Sequence, residues 1–114
     1  MAIRVLIKRH VKKGRVEQGI NMLKELRKMA LNQPGYISGE TLINHYDSRS
    51  IMIVSTWERL DDWIRWEGSE ERAANEAKIE SLLEVPTKYE VYDIGSLEKR
   101  LPSQTPDYNH DEVS

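Results

Sequence analysis

Residues 51–69 read IMIVSTWERLDDWIRWEGS and contain all three tryptophans of the 114-residue chain. The first half of this stretch is a short apolar run, rich in β-branched residues, which predicts a buried strand. Isoleucine alternates with methionine and valine over residues 51–54, so both faces of the strand are apolar. One layer of helices can cover only one of these faces. We expect a partner sheet to cover the other face. The simplest source of such a sheet is a second copy of the chain in a homodimer.

The second half of the stretch predicts a short helix that carries two of the tryptophans. Leu60, Trp63 and Ile64 have the i, i+3, i+4 spacing of an inner helical face. Trp66 lies off that stripe, so we expect it at an interface, half-exposed, or against a ligand. Ser69 is a suitable N-cap for a second helix that follows directly.

The rest of the chain alternates between the patterns of strands and helices. Strand patterns occupy residues 2–11, 36–45 and 87–94, and a helical pattern runs from residue 16 to about residue 32. The predicted order is strand, helix, strand, strand, helix pair, strand. This is the β-α-β-β-α-β order of a ferredoxin-like α+β fold with an antiparallel sheet.

The length and composition predict one domain followed by a tail. A chain of this size has one core, which we assign to residues 1–95. Residues 96–114 are polar and include two prolines, so they cannot bury enough surface to order themselves alone. Leu97 and Leu101 would allow this tail to anchor as an arm on a partner subunit.

Several classes of function are disfavoured by the composition. The formal net charge is −2, which gives no reason to expect an acidic polymer or an anionic membrane as partner. The chain has no cysteine, which excludes disulfides, thiolate nucleophiles and cysteine-based metal sites. No apolar run approaches the length of about 18 residues that a membrane span requires. We expect a soluble cytoplasmic protein with no metal site.

Nucleic-acid binding is also not expected. RNA-binding domains of this topology stack bases on aromatic side chains of their central strands. The first strand here has no aromatic residue, and the third offers only Trp57, at its end. The basic residues between Lys8 and Arg15 are more simply explained as a solvated strand end and turn.

An ordered set of short motifs resembles one known family. The motifs are PGY at 34–36, TWE at 56–58, Trp63 followed by Ser69 and Arg72, and YEVY at 89–92 after Pro86. Together they resemble the antibiotic biosynthesis monooxygenase domain family of dimeric α/β barrels. The resemblance covers about residues 3–94.

This resemblance implies a homodimer whose sheets pack face to face, with a ligand cavity in each subunit between sheet and helices. The family includes cofactor-independent oxygenases of electron-rich polycyclic phenols or quinols, haem-degrading monooxygenases, and small proteins without assigned activity. Trp63 is similar to the cavity-lining tryptophan of the haem-degrading branch. That branch also uses an asparagine on the first strand and a histidine on the second helix. Those positions fall on Ile7 and near Asn75 or Glu76, which are not usual haem ligands, so we expect no bound cofactor.

The candidate site follows from the chemistry of an oxygenase without metal or flavin. Such a protein must deprotonate a phenol, so that the substrate itself passes an electron to oxygen, and must hold the anion in a dry pocket. His45 is the candidate base, and Arg72 or Arg65 the candidate partner of the phenolate. Trp63 and Trp66 would supply a flat wall for an aromatic substrate.

Ile7 and Asn75 complete the candidate binding residues, because they stand at the two ligand positions of the haem-degrading branch. Each candidate also has a purely structural alternative. Trp63 would serve the core alone, His45 would be a surface residue of a solvated turn, and Arg72 would be a salt-bridged helix residue.

The leading functional hypothesis is a small monooxygenase-like protein that acts on an aromatic or quinol-type molecule. The alternatives are a non-catalytic ligand-binding or accessory module and, third, a divergent haem-binding protein.

Overall fold

The computed structural model describes residues 1–96 of the chain, so the predicted arm at Leu97 and Leu101 lies outside it. The described elements follow the predicted order. They are β1 (Ile3–His10), α1 (Val16–Ala30), β2 (Tyr36–Ile43), β3 (Ser50–Trp57), α2 (Leu60–Glu67), α3 (Glu70–Glu80) and β4 (Lys88–Asp93). None of the helices in these residues is long and apolar enough to cross a membrane.

The four strands form one antiparallel sheet with the order β2-β3-β1-β4. The central strand β1 pairs with β3 on one side and β4 on the other, and Ile7 stands opposite both Ile53 and Tyr89. This arrangement confirms the predicted ferredoxin-like α+β fold. The register also fixes which side chains share a face, because successive residues of a strand point to opposite sides.

The core lies between the sheet and the helices. Ile3, Val5 and Ile7 of β1 point into it and are at most 6% exposed. Leu23 and Leu26 of α1 pack against them from the helical layer. This burial follows from the period of two along the strand meeting the apolar stripe of the helix.

Within residues 1–96, no other element covers the opposite face of the sheet. Leu6 on β1 and the two residues beside it on β3, Met52 and Val54, are half-buried there. Leu42 on β2 extends this apolar area and is 43% exposed. The β3 strand is therefore apolar on both faces, as its sequence indicates.

The inner face of α2 differs from the prediction. The buried residues are Asp62, Trp63 and Trp66, whereas Leu60 and Ile64 are 46% and 51% exposed. The indoles are the largest side chains of α2, and an aromatic side chain buries about 150–250 Å² when it enters a core. The helix is therefore rotated to bury both tryptophans, and the expectation of a half-exposed Trp66 was wrong. Burial of the Asp62 carboxylate is partly offset because Oδ1 accepts a hydrogen bond from Arg65 Nη1 at 3.1 Å.

Gly35 sets the turn from α1 into β2. Its φ of +84° lies in the left-handed region, and a Cβ atom added to it would overlap the carboxylate of Asp62. A hydrogen bond from Glu58 N to Gly35 O at 2.8 Å joins this turn to the end of β3. Glycine is therefore required here by both conformation and space.

Candidate functional site

A small cavity of about 50 Å³ lies between the sheet and the helices. Strands β1, β2 and β3 form one wall, and the three helices form the others. Six of the lining side chains bear on its chemistry: Ile7, Arg9, Tyr36, Trp63, Trp66 and Arg72. This is the place in the fold where the resemblance implies a ligand cavity.

Aromatic rings form most of one side of the cavity. The rings of Trp57 and Trp63 lie 5.9 Å apart between centroids, at 61°. Tyr36 meets Trp57 edge to face, with its ring centroid at 5.2 Å. Trp57 Nε1 donates to Ser55 Oγ at 3.1 Å, which satisfies the buried indole nitrogen and fixes the orientation of this ring. Trp66, which is 3% exposed, completes the wall.

Arg72 reaches the cavity from the first turn of α3. Its backbone N–H donates to the Oγ of the N-cap Ser69 at 3.2 Å, which places the residue at the start of the helix. The guanidinium carbon lies 5.4 Å from the Trp63 ring centroid and 5.6 Å from that of Tyr89. Nη2 donates to Tyr89 OH at 3.0 Å and forms an ion pair with Glu76 Oε2 at 3.1 Å. This buried cation is held by both aromatic and charged partners.

Arg9 is a cavity residue that the sequence reasoning missed. It is 3% exposed and donates to both carboxylate oxygens of Glu76, at 3.1 and 2.7 Å. Its Nη1 also donates to Thr87 Oγ1 at 3.1 Å. The available signal was the alternation of β1, which puts residue 9 on the same face as Ile7. The neighbouring basic residues concealed it by suggesting a solvated strand end.

The other predicted site residues divide into two groups. Ile7 lines the cavity together with Trp63, Trp66 and Arg72. Asn75 does not line it, because its Nδ2 is directed to Met29 Sδ and Glu71 O at 3.5 and 3.4 Å.

His45 also lies outside the cavity. It is exposed in the turn between β2 and β3, where its ring contacts that of Tyr46 with a centroid distance of 4.9 Å. Arg65 is on the outer side of α2 and pairs with Asp62. We therefore leave His45, Arg65 and Asn75 out of the site that we propose below.

The charges of the cavity are one-sided. Among the described residues that line it, three are arginines and none is histidine, aspartate or glutamate. The third arginine, Arg27, donates to Gly39 O at 3.2 Å and Thr41 Oγ1 at 2.8 Å. Burial raises the pKa of the Tyr36 hydroxyl, and the positive charge of Arg27 only partly opposes this. Tyr36 is therefore a neutral hydrogen-bond donor at physiological pH.

Haem does not fit these residues. The side chain of Ile7 has no ligand atom, and Asn75 faces α1 rather than the cavity. The space of about 50 Å³ is also far below the roughly 300–1,000 Å³ of sites for drug-sized ligands. No step of the chemistry below involves haem.

A second concave site, of about 390 Å³, lies at the other side of the sheet near the end of β1. Lys8, His10 and Met52 are among its lining residues. Apart from Arg9, it shares no lining residue with the cavity, and none of the predicted site residues lines it. It is on the face that a partner sheet is expected to cover. We therefore place the candidate site in the smaller cavity.

Residues 2–77 match the model of a protein family that is described as antibiotic biosynthesis monooxygenase. The chain belongs to this family. The match includes Arg9, Trp63, Trp66 and Arg72, and therefore covers the aromatic and cationic parts of the cavity. Among the curated proteins compared, none matches the chain.

Solved structures share the fold of this monooxygenase-family chain. A conserved protein from Methanosarcina mazei has a TM-score of 0.76 at 21% identity, over 81% of this chain and 91% of that one. SnoaB of Streptomyces nogalater, a cofactor-independent oxygenase, has a TM-score of 0.75 at 13% identity, over 89% and 97%. A protein of unknown function from Bacteroides thetaiotaomicron has a TM-score of 0.72 at 25% identity, over 80% and 95%.

Proposed function

We propose that this family member binds a small aromatic or quinol-type molecule in the tryptophan-lined cavity and promotes its oxygenation by dioxygen without a bound cofactor. The observation that supports this most directly is the position of Arg72. Its buried guanidinium lies against the rings of Trp63 and Tyr89 at the edge of an apolar cavity. A cation held in a dry aromatic site stabilises an oxyanion of the substrate.

The proposed reaction draws all its electrons from the substrate. A phenolate passes one electron to dioxygen, and the resulting phenoxyl radical and superoxide combine to form a carbon–oxygen bond. The oxygen–oxygen bond of the peroxide then breaks with loss of water, leaving a carbonyl. Overall, one quinol and one dioxygen give one hydroxyquinone and one water.

In this proposal the substrate phenol loses its proton because of the positive charge of Arg72, and no side chain acts as a general base. A nearby positive charge lowers the pKa of a phenol, because it favours the charged form. The substrate proton can then leave to solvent before the site closes. The protein contributes electrostatic stabilisation, orientation against Trp63 and Trp66, and exclusion of water.

The second candidate is a non-catalytic ligand-binding or accessory module. One observation favours it: the cavity holds about 50 Å³, less than a single aromatic ring needs. A substrate would enter only if α2 moved away from the sheet. Binding and oxygen consumption must therefore be measured separately.

We expect oxygen uptake with at least one member of a hydroquinone panel, and we expect Arg72→Lys to lower its rate by about 100-fold. Lysine keeps the charge but cannot reproduce the planar guanidinium against Trp63. The matched control is Arg65→Lys. Arg65 is itself exposed, pairs with Asp62 and does not line the cavity. Uptake at the buffer rate across the panel, with quinol binding visible in tryptophan fluorescence, would favour the accessory module instead.

A homodimer is part of the same proposal. Its support is the uncovered apolar face around Leu6, Met52 and Val54. We expect light scattering to give twice the monomer mass at micromolar concentrations, and Val54→Asp to give the monomer mass. An unpaired charge would then be buried twice in a symmetric interface, at a cost of several kcal/mol. Ile64→Asp, at an apolar residue 51% exposed on α2, is the control and should remain dimeric.

A further inference from the structure

Arginine and glutamate side chains form an ion-pair cluster beside the cavity. Arg9 and Arg72 are both almost fully buried, and both form ion pairs with the same carboxylate, Glu76, whose side chain is 12% exposed. Arg9 Nη1 also lies 4.0 Å from the carboxylate of Glu80, whose side chain is 41% exposed. Two buried guanidinium groups thus share one largely buried carboxylate. Among the described residues that line the cavity itself, none is acidic.

Arg9 also has a hydrogen-bond donor to spare. Within residues 1–96, its Nε is one of two buried side-chain polar atoms without a partner. The other four N–H bonds of the guanidinium belong to Nη1 and Nη2, which donate to Glu76 and Thr87. An unsatisfied buried donor costs about 1–3 kcal/mol, and more when it is charged. Such a donor beside a cavity indicates a ligand that accepts its hydrogen bond.

The direction of the side chain follows from the sheet. Arg9 alternates with the buried Ile7 and pairs with Ile51, which is also buried, so its side chain lies on the helix-facing side. The cavity is on that side, and Arg9 is one of its lining residues. Tyr36 also lines the cavity, and burial raises the pKa of its hydroxyl, so this residue brings no negative charge to the site.

From this geometry we infer that the cavity is an anion-binding site in which Arg9 recognises an ionised carboxylate or phenolate oxygen of the ligand. A charge-assisted hydrogen bond from Nε would satisfy the spare donor. The volume of about 50 Å³ accommodates such a group, while the ring of the ligand displaces α2 side chains. The inference rests on the proposed function only for the aromatic nature of the ligand.

The test compares benzoate with benzamide, which has nearly the same shape but no charge. Binding is followed through tryptophan fluorescence, since all three indoles line the cavity, and through the rise in melting temperature. We expect benzoate to bind at least tenfold more tightly at pH 7, a factor that equals about 1.4 kcal/mol. Equal affinities, or no benzoate binding at millimolar concentrations, would overturn the inference.

The variant Arg9→Lys tests whether Arg9 is the residue that produces the preference for the anion. Lysine retains a charge for Glu76 but removes Nε, so we expect the ratio of benzoate to benzamide affinity to fall below about threefold. Arg65→Lys is the matched control and should leave the ratio unchanged, because Arg65 does not line the cavity and pairs with Asp62. A purely structural role for Arg9 would weaken both ligands equally and leave their ratio unchanged.

A competition experiment in the unaltered protein keeps the test independent of whether Arg9→Lys folds. Nitrate should weaken benzoate binding, whereas a benzoate affinity that does not change with nitrate concentration would contradict the inference. The outcomes also separate the two proposals. Benzoate preference without oxygen uptake on any quinol would refute the oxygenation alone, and oxygen uptake with equal binding of both ligands would refute the anion site alone.

Discussion

Gly35→Ala is expected to lower the free energy of unfolding by about 3–4 kcal/mol. The left-handed conformation at φ +84° costs a non-glycine residue roughly 1–2 kcal/mol. The new methyl group would also overlap the Asp62 carboxylate, and such overpacking typically costs about 1–3 kcal/mol. Asp62 cannot move freely, because it is 3% exposed and lies on the same turn of α2 as Trp63. Urea denaturation at neutral pH measures the change.

Gly14→Ala separates the two causes. Gly14 has a similar φ of +80°, but a Cβ atom there would meet nothing within 4 Å. We therefore expect only the conformational cost at Gly14, about 1–2 kcal/mol. Equal losses at the two glycines would show that Asp62 yields without cost. In that case the contact between the turn and α2 does not hold the helix in place.

The architecture was predictable because the strands of this chain carry strong periodic signals. Ile3, Val5 and Ile7 recur with the period of two that puts them on one face of β1, and β3 is apolar throughout its centre. The rotation of α2 was not predictable from the same kind of pattern. Leu60 and Ile64 fit a helical stripe with Trp63, yet the helix buries Trp66 and the carboxylate of Asp62 instead. The helical period shows which residues share a face of the helix. When two faces both carry large apolar groups, only the packing decides which of them is buried.

The candidate site was predictable where the fold alone determines proximity. The ferredoxin-like order brings four of the predicted site residues under the same sheet. All four line the cavity: Ile7, Trp63, Trp66 and Arg72. Ile7 and Asn75 were both assigned from the family resemblance, but α3 directs the Asn75 side chain toward Met29 instead of the cavity.

The alternation of β1 puts Arg9 on the same face as Ile7, but its ion pairs and its unpaired Nε were beyond sequence reasoning. Whether a charged residue at a strand end is buried depends on partners from distant parts of the chain, here Glu76 and Thr87. Buried charges persist only when such partners are present. The same pairing makes the cavity and the stability of the fold depend on one carboxylate.

Glu76→Gln is expected to destabilise the protein by about 3 kcal/mol, because it leaves two buried guanidinium groups without their shared counter-charge. Glutamine still accepts one hydrogen bond, so the loss is at the lower end of the range for breaking a buried pair. The matched control is Glu71→Gln on the same helix, an exposed residue whose carboxylate accepts from Gln33. Its effect should remain within about 0.5 kcal/mol. Chemical denaturation of both variants makes the comparison.

The anion site gives this variant a second, independent signature. Without the Glu76 carboxylate, Arg72 loses its ion pair and Arg9 keeps only the more distant Glu80, at 4.0 Å, so a small anion should bind more tightly than in the unaltered protein. Nitrate should therefore raise the melting temperature of Glu76→Gln by more than it raises that of Glu71→Gln. Equal shifts would mean that the guanidinium groups find other partners or water when Glu76 is neutral. The two arginines would then serve the ion-pair cluster and not the cavity.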